Sequence, residues 1–212
     1  MIDLQNIKSV KEIRDITKYS VSLDSNGNKR LEVPPVEGYI LTVSEEMRDR
    51  NIYVPVDVSN KYYQLIQSWI KLGNTPQCAH TKEELLEHYK KVKLKELKIS
   101  FEDYRYNKAK IFSKTINKYV DARERDLINI DALISSLPDN NTTIQFRTYE
   151  NDFIEVTKPQ LESIKQEIIA YGLKLYQRKW EIEKKISNET CIINLIEMKI
   201  TDELWDIDDG GK

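Results

Sequence analysis

Cys78, His80 and His88 are the soft metal ligands that lie near one another in this chain, and their grouping raises the question of zinc. A closed structural zinc site needs a full tetrahedral set of Cys and His at short, fixed spacings. Here Cys-x-His is followed by a second His eight positions on, with no CxxC or HxxxH beside them. No metal is therefore expected, and the three read as loop residues or as the exposed side of the first turns of a helix. Glu45-Glu46 and Asp208-Asp209 have the side chains for general acid and base work, yet adjacent acids are common on solvated surfaces. The chain carries no Gly-rich phosphate loop, no GxSxG and no HExxH. The reading is of a protein without catalytic apparatus and without a cofactor.

Two charged stretches could engage partners. Lys90-Lys91-Val92-Lys93-Leu94-Lys95-Glu96-Leu97-Lys98 is densely basic, with Tyr104 and Tyr106 close behind. On a helix these lysines spread around most of the circumference, which suits solvation better than a groove that follows phosphates. At the other end, Asp202, Glu203, Asp206, Asp208 and Asp209 surround Leu204-Trp205-Ile207. Trp205 is either a docking residue for a basic partner groove or an anchor that folds back on the body.

The 212 residues are 40% hydrophobic and 32% charged, enough for one ordinary core or two small ones. A formal net charge of −2 argues against nucleic acid or an anionic membrane surface as the partner. Cys78 and Cys191 stand far apart and are expected to be reduced. Met1-Ile2-Asp3-Leu4-Gln5 has no basic start, and no stretch approaches the roughly 20 apolar residues of a membrane span. Synthesis and retention in the cytoplasm are the expectation.

The elements that must position any site fall in order. Leu4, Ile7, Val10, Ile13 and Ile16 recur at every third position, which predicts a helix over 3–18. Small strands are predicted over 19–23, 31–33, 38–43 and 52–56, with Asn26-Gly27 as a hairpin turn and Pro34-Pro35 as a stiff connector. A helix over 62–72 follows: Tyr62, Leu65, Ile66 and Trp69 share a face, Gly73 stops it and Pro76 prevents continuation. Residues 1–76 thus read as a β-rich attachment domain with flanking helices. Thr81-Lys82-Glu83-Glu84 is a capping box opening a helix that runs beyond Lys110. Its apolar face shifts from Leu85, Leu86, Tyr89 and Val92 to Leu94, Leu97, Phe101 and Tyr104, which means a bend, a break or two different neighbours. Residues 77–112 are read as a helical spacer.

Residues 143–157 alternate as a strand, a turn and a strand. With Glu150-Asn151-Asp152 as a three-residue loop, Tyr149 pairs with Phe153 and Phe146 with Val156; Ile144, Phe146, Ile154 and Val156 then share one face. Thr157 with Gln160 forms a second capping box, and Pro159 lies in the first turn. The helix that follows repeats Leu161, Ile168, Leu175 and Ile182 at every seventh position, joined by Ile164, Tyr171 and Ile186. A second stripe, Ile169, Leu173, Tyr176 and Trp180, lies a quarter to a third of a turn away. It is either further core or a face for a partner helix or another copy of the chain.

Phe146-Arg147-Thr148, Glu150-Asn151, Phe153, Val156-Thr157, Leu161 and Arg178-Lys179-Trp180 resemble a C-terminal domain of unknown function that recurs in tailed-phage tail and tail-fibre-associated proteins. Asp121-Ala122-Arg123, Asp126 and Asn129-Ile130 extend the similarity over about residues 113–186. Phe146, Glu150 and Asp126 stand where that family usually has Trp, Asp and Ser. Tyr62-Tyr63-Gln64-Leu65-Ile66-Gln67-Ser68-Trp69, then Gly73-Asn74-Thr75-Pro76, is similar to a helix common just upstream of that domain in tail-fibre accessory proteins.

The expected fold class is α+β: a small β-rich N-terminal domain, a long central helix, a helical domain over 113–190 containing a β-hairpin, and an acidic extension over 191–212. The resemblance implies a tail-associated structural protein of a phage or prophage-derived particle, synthesised in the host cytoplasm and carried in the virion tail. Its partners would be other tail or tail-fibre proteins, or a second copy of itself, with neither nucleic acid nor membrane. The alternative is an assembly chaperone that binds the fibre and then leaves. Tyr149, Phe153, Ile169, Leu173, Tyr176, Trp180 and Trp205 are the candidate partner-binding residues.

Overall fold

The structure, a computed structural model, describes residues 4–45 and 48–207. Helix and strand are both plentiful, so the α+β class holds. The chain divides into two compact units, residues 1–90 with 190–197 and residues 91–189 with 198–212.

In the first unit the elements are β1 (Ile7–Ile13), β2 (Ser20–Leu23), β3 (Lys29–Glu32), β4 (Gly38–Glu45), β5 (Arg48–Pro55) and α1 (Lys61–Lys71). Strands β1, β4 and β5 form an antiparallel sheet with β4 in the middle. Alternate residues of β4, Tyr39, Leu41 and Val43, point into a core shared with Val10, Val54 and Ile66 of α1, while Trp69 and Tyr63 pack at its margin. Asn60 caps α1, its side chain accepting from the Tyr62 and Tyr63 N–H groups at 2.9 and 3.3 Å. Gly73, at φ +93°, supplies the left-handed stop. Strands β2 and β3 make the hairpin expected around Asn26-Gly27, with Gly27 at φ +79° and the Asp24 carboxylate accepting from two turn amides at 2.8 Å.

The predicted helix over 3–18 is instead a strand with short 3-10 turns at either side. The reason is visible in the ladder. Residues three apart face opposite ways in a regular strand, but the register of β1 against β4 shifts between Ile7 and Ser9, so Ile7 joins Val10 against the same core. The bulge thereby puts Ile7 and Val10 on one face without a helix, and the β-branched residues Ile7, Val10 and Ile13 favour the strand. The far edge of β1 is covered: Gln77 accepts from the Glu12 N–H at 3.0 Å and donates to the Val10 carbonyl at 2.8 Å.

Helix α2 (Lys82–Asp103) starts at the expected capping box, with Thr81 N–H donating to Glu84 at 2.8 Å and Glu84 N–H to Thr81 Oγ1 at 3.1 Å. It closes in a π-helical turn over Tyr104–Lys108 rather than running past Lys110. Of the three explanations for its shifting apolar face, two neighbours is the one observed. Leu85 and Tyr89 are buried in the first unit, where the Tyr89 hydroxyl donates to the Tyr19 carbonyl at 3.0 Å; Leu97 and Phe101 are buried in the second. The 77–112 segment therefore contributes to both units. Lys93, in the basic run, is buried with its ammonium 2.8 Å from Glu96.

The second unit continues with a hairpin absent from the sequence reading, β6 (Lys110–Ser113) and β7 (Lys118–Asp121), turning at Asn117 with φ +55°. Then come α3 (Glu124–Ser136), β8 (Thr143–Arg147), β9 (Phe153–Thr157) and α4 (Lys158–Asn188). All seven residues of the expected stripe on α4, from Leu161 to Ile186, are buried. After α4 the chain returns to the first unit as α5 (Ile192–Glu197), which buries Ile192 and Leu195 near β2 and β3 and pairs Glu197 with Lys29 at 2.6 Å.

The β8–β9 register differs by two residues from the expected one. Arg147 pairs with Phe153 and Phe146 with Ile154, leaving 148–152 as a five-residue loop. Thr148 N–H donates to the Asp152 carbonyl at 2.9 Å, Asn151 adopts φ +68°, and Lys118 Nζ holds Asp152 at 3.0 Å, so the tip is tied to β7 instead of being pulled into the ladder. A shift of two preserves the faces: Phe146 and Val156 are still buried together.

Leu161 and Leu41 are each fully buried, one in each unit. Leu161→Ala and Leu41→Ala are each expected to cost about 2–5 kcal/mol in urea unfolding, whereas Asn60→Ala should cost only about 1 kcal/mol.

Candidate functional site

Helix α4 presents two faces roughly a third of a turn apart. On the face away from the core, Leu173 and Trp180 are 61% and 57% exposed and Ile169 is 37% exposed. Tyr176 departs from the expected exposed stripe, because it is half-buried and bridges core to surface. Its ring lies 5.1 Å from that of buried Phe101 and 6.0 Å from that of Trp180. The Arg105 guanidinium sits 5.1 Å over the same ring and donates to its hydroxyl, while pairing with Glu124 at 3.2 Å.

The hairpin tip carries Tyr149 in the loop and Phe153 at the start of β9, 42% and 66% exposed. Tyr149 is not directly opposite Phe153, as the shifted register requires. Its N–H donates to the Tyr119 carbonyl of β7 at 2.9 Å, and Lys110 Nζ stands 4.3 Å from its ring centre.

Trp205 takes the folded-back alternative and not that of an exposed docking side chain. It is fully buried, its indole N–H donating to Ser100 Oγ at 2.8 Å and its ring 5.3 Å from Phe101. Asp202 of the acidic run lies on the second unit: the Lys108 ammonium donates to it at 2.7 Å and pairs with Asp103 at 2.6 Å, and these two carboxylates hold that ammonium well above the usual lysine range. Burying so large an aromatic outweighs leaving the terminus free.

Seven of the residues that carry the resemblance line one pocket. Asp121 and Arg123 leave the end of β7, Asp126 and Asn129 lie on the first turns of α3, and Phe146 and Arg147 come from β8; together with Ile130, Leu133 and Gln145 they line about 270 Å³. Arg123 is its pivot. Its guanidinium holds Asp126 through two bonds of 2.8 and 3.1 Å and Asp121 at 2.9 Å, while Asp126 also accepts from the Arg123 backbone N–H at 3.0 Å. Asp126 therefore does two things at once, capping α3 and fixing Arg123. Burial pushes the Asp121 carboxyl above its usual range, with Arg123 pulling the other way. The sequence shows these residues as a linear pattern; the contact between β7, α3 and β8 that makes them a pocket involves residues too far apart in the chain to be read from spacing.

The soft ligands lie in the first unit. Cys78 is exposed, His80 Nε2 is 2.9 Å from the Arg14 carbonyl, and the His88 ring packs edge-on to Tyr89. Among the described residues no group of three or more His, Cys, Asp or Glu is arranged to hold a metal ion, and no helix is long and apolar enough to cross a membrane. Asp208-Asp209 and Glu46 lie outside the described residues.

Trp205→Ala is expected to cost the second unit about 3–5 kcal/mol, measured by urea unfolding, whereas Trp180→Ala should change its stability by no more than about 0.5 kcal/mol.

No curated protein and no solved structure matches this chain. The profile of the family described as Domain of unknown function (DUF4376) matches residues 89–207, a span that takes in the pocket, the exposed face of α4 and Trp205. That span is more than half of the 212 residues, and the protein belongs to the DUF4376 family.

Proposed function

We propose that this protein is a tail-associated structural component of a bacteriophage or prophage-derived particle, joining neighbours in the tail-fibre or baseplate region by protein–protein contact. The observation that carries the reading is the outer face of α4. Leu173 and Trp180 project large apolar side chains into solvent from a helix anchored along its other side, and Ile169 extends the row. A rigid apolar row with an aromatic end has the properties of an interface centre, where Trp is enriched and ordering costs are already met. The exposed pair Tyr149 and Phe153 offers a second contact of the same kind. The similarity over 113–186 to domains of tail and tail-fibre-associated proteins supplies the setting. A second copy of the chain is the alternative partner for the face.

The runner-up is an assembly chaperone, which would use the same face transiently. Peptide mass spectrometry of purified particles against whole lysate separates the two. Stoichiometric presence in particles supports the structural role; presence in the lysate alone supports the chaperone; absence of any link to particles overturns both.

Leu173→Lys combined with Trp180→Glu is expected to weaken association with the tail-fibre fraction by about tenfold or more while shifting unfolding stability by no more than about 1 kcal/mol. Tyr176 is left intact in this test because its ring contacts buried Phe101.

A further inference from the structure

The pocket beside Arg123 has a wall made of backbone. In the β8–β9 hairpin, Thr148 N–H bonds across to Asp152, so the backbone groups of Phe146 and Ile144 also face β9, and those of Gln145 and Arg147 face outward. Tyr149, the next outward residue, gives its N–H to the outward carbonyl of Tyr119 on β7. Beyond that single bond the two hairpins form no common sheet. The pocket occupies the opening, with Asp121 and Arg123 on one side and Gln145 and Arg147 on the other. Among the described residues, the outward N–H and C=O groups of Gln145 and Arg147 make no hydrogen bond. The slot is therefore a strand edge that begins paired, at Tyr119 and Tyr149, and is left open one residue pair later.

Its charges are unequally buried. On the inner side two carboxylates, Asp121 and Asp126, share the one guanidinium of Arg123, and Arg147 and Arg125 act on Asp121 from further off in the same sense as Arg123. Arg147 stands exposed at the rim, where solvent screens it. Burial without full compensation disfavours the charge on Asp121, and a cation brought to it would relieve that cost.

We infer that this slot takes up an extended peptide segment of a partner protein, which adds to the outer edge of β8 and directs a basic side chain at Asp121. Backbone bonds to Gln145 and Arg147 supply the affinity common to any strand, and the Asp121 carboxylate supplies the selection for Lys or Arg at one position. The inference rests on the strand edge and its charges, not on the α4 face or the phage-tail reading.

The test uses the full chain, 15N-labelled, with a capped heptapeptide of alternating Thr and Val bearing Lys at its centre, and the same peptide bearing Glu. The Lys peptide is expected to shift the amide resonances of Gln145 and Arg147 and slow their hydrogen exchange by about tenfold or more. The Glu peptide should bind about tenfold more weakly, since it meets an unrelieved carboxylate. Asp121→Asn should remove that preference. Gln145→Pro deletes an edge donor without touching the ladder to β9 and should reduce binding of the Lys peptide while the remaining spectrum stays folded, which keeps the test decisive if Asp121→Asn disturbs Arg123. Absence of shifts at either residue with millimolar peptide, shifts confined to other surfaces, or equal binding of the Lys and Glu peptides would overturn the inference.

Discussion

The burial of one edge of α4 is the constraint on which the second unit depends. Seven side chains from Leu161 to Ile186 are removed from water along 31 residues of helix, each contributing on the order of 1.5–3 kcal/mol. Helix α3 and strands β6 and β9 pack against this helix. Val156 and Phe146 of the β8–β9 hairpin and Ile130 of α3 are buried in the same unit, and the Glu167 carboxylate of α4 accepts from the Thr115 N–H and hydroxyl at 3.2 and 3.0 Å, fastening the turn between β6 and β7. Trp205 closes the assembly from the end of the chain, against Ser100 and Phe101.

The joint between β9 and α4 has no spare residue. Thr157 is both the last residue of the strand and the helix cap, with its N–H donating to Gln160 at 2.8 Å. A helix fixed at its start and along one edge has its rotation about the axis fixed too. Hence Leu173 and Trp180 must face outward, and Tyr176, angularly between the two rows, must be shared between core and surface. The outer face is a consequence of how the inner one is held.

The pocket follows from a similar economy. Asp126 is needed to cap α3 and, by doing so, holds Arg123, which in turn holds Asp121 at the end of β7. The Tyr149 N–H and Asp152 tie the β8–β9 loop to β7, and the two hairpins form no common sheet. A charged pivot, a strand edge and an apolar floor of Ile130 and Phe146 are thus left facing one opening.

Local signals in the sequence determined a good deal. The capping boxes at Thr81 and Thr157, the left-handed glycines Gly27 and Gly73 and the buried row of α4 all stand where short-range chemistry places them, because each depends on residues within one or two helical turns or a single hairpin. The split between a buried and an outer row on α4 was legible as two stripes; which of them met the core was not. Tertiary structure alone decided that Leu4 to Ile16 is mostly strand, since the bulge at Ile7 exists only against β4, and that Trp205 is core, since its pocket is built by α2 and α4. It alone decided the five-residue loop of β8–β9, because Lys118 and Tyr119 of an unforeseen hairpin hold its tip. Those outcomes rest on contacts between residues about thirty to a hundred positions apart, whose energies no local pattern in the chain carries.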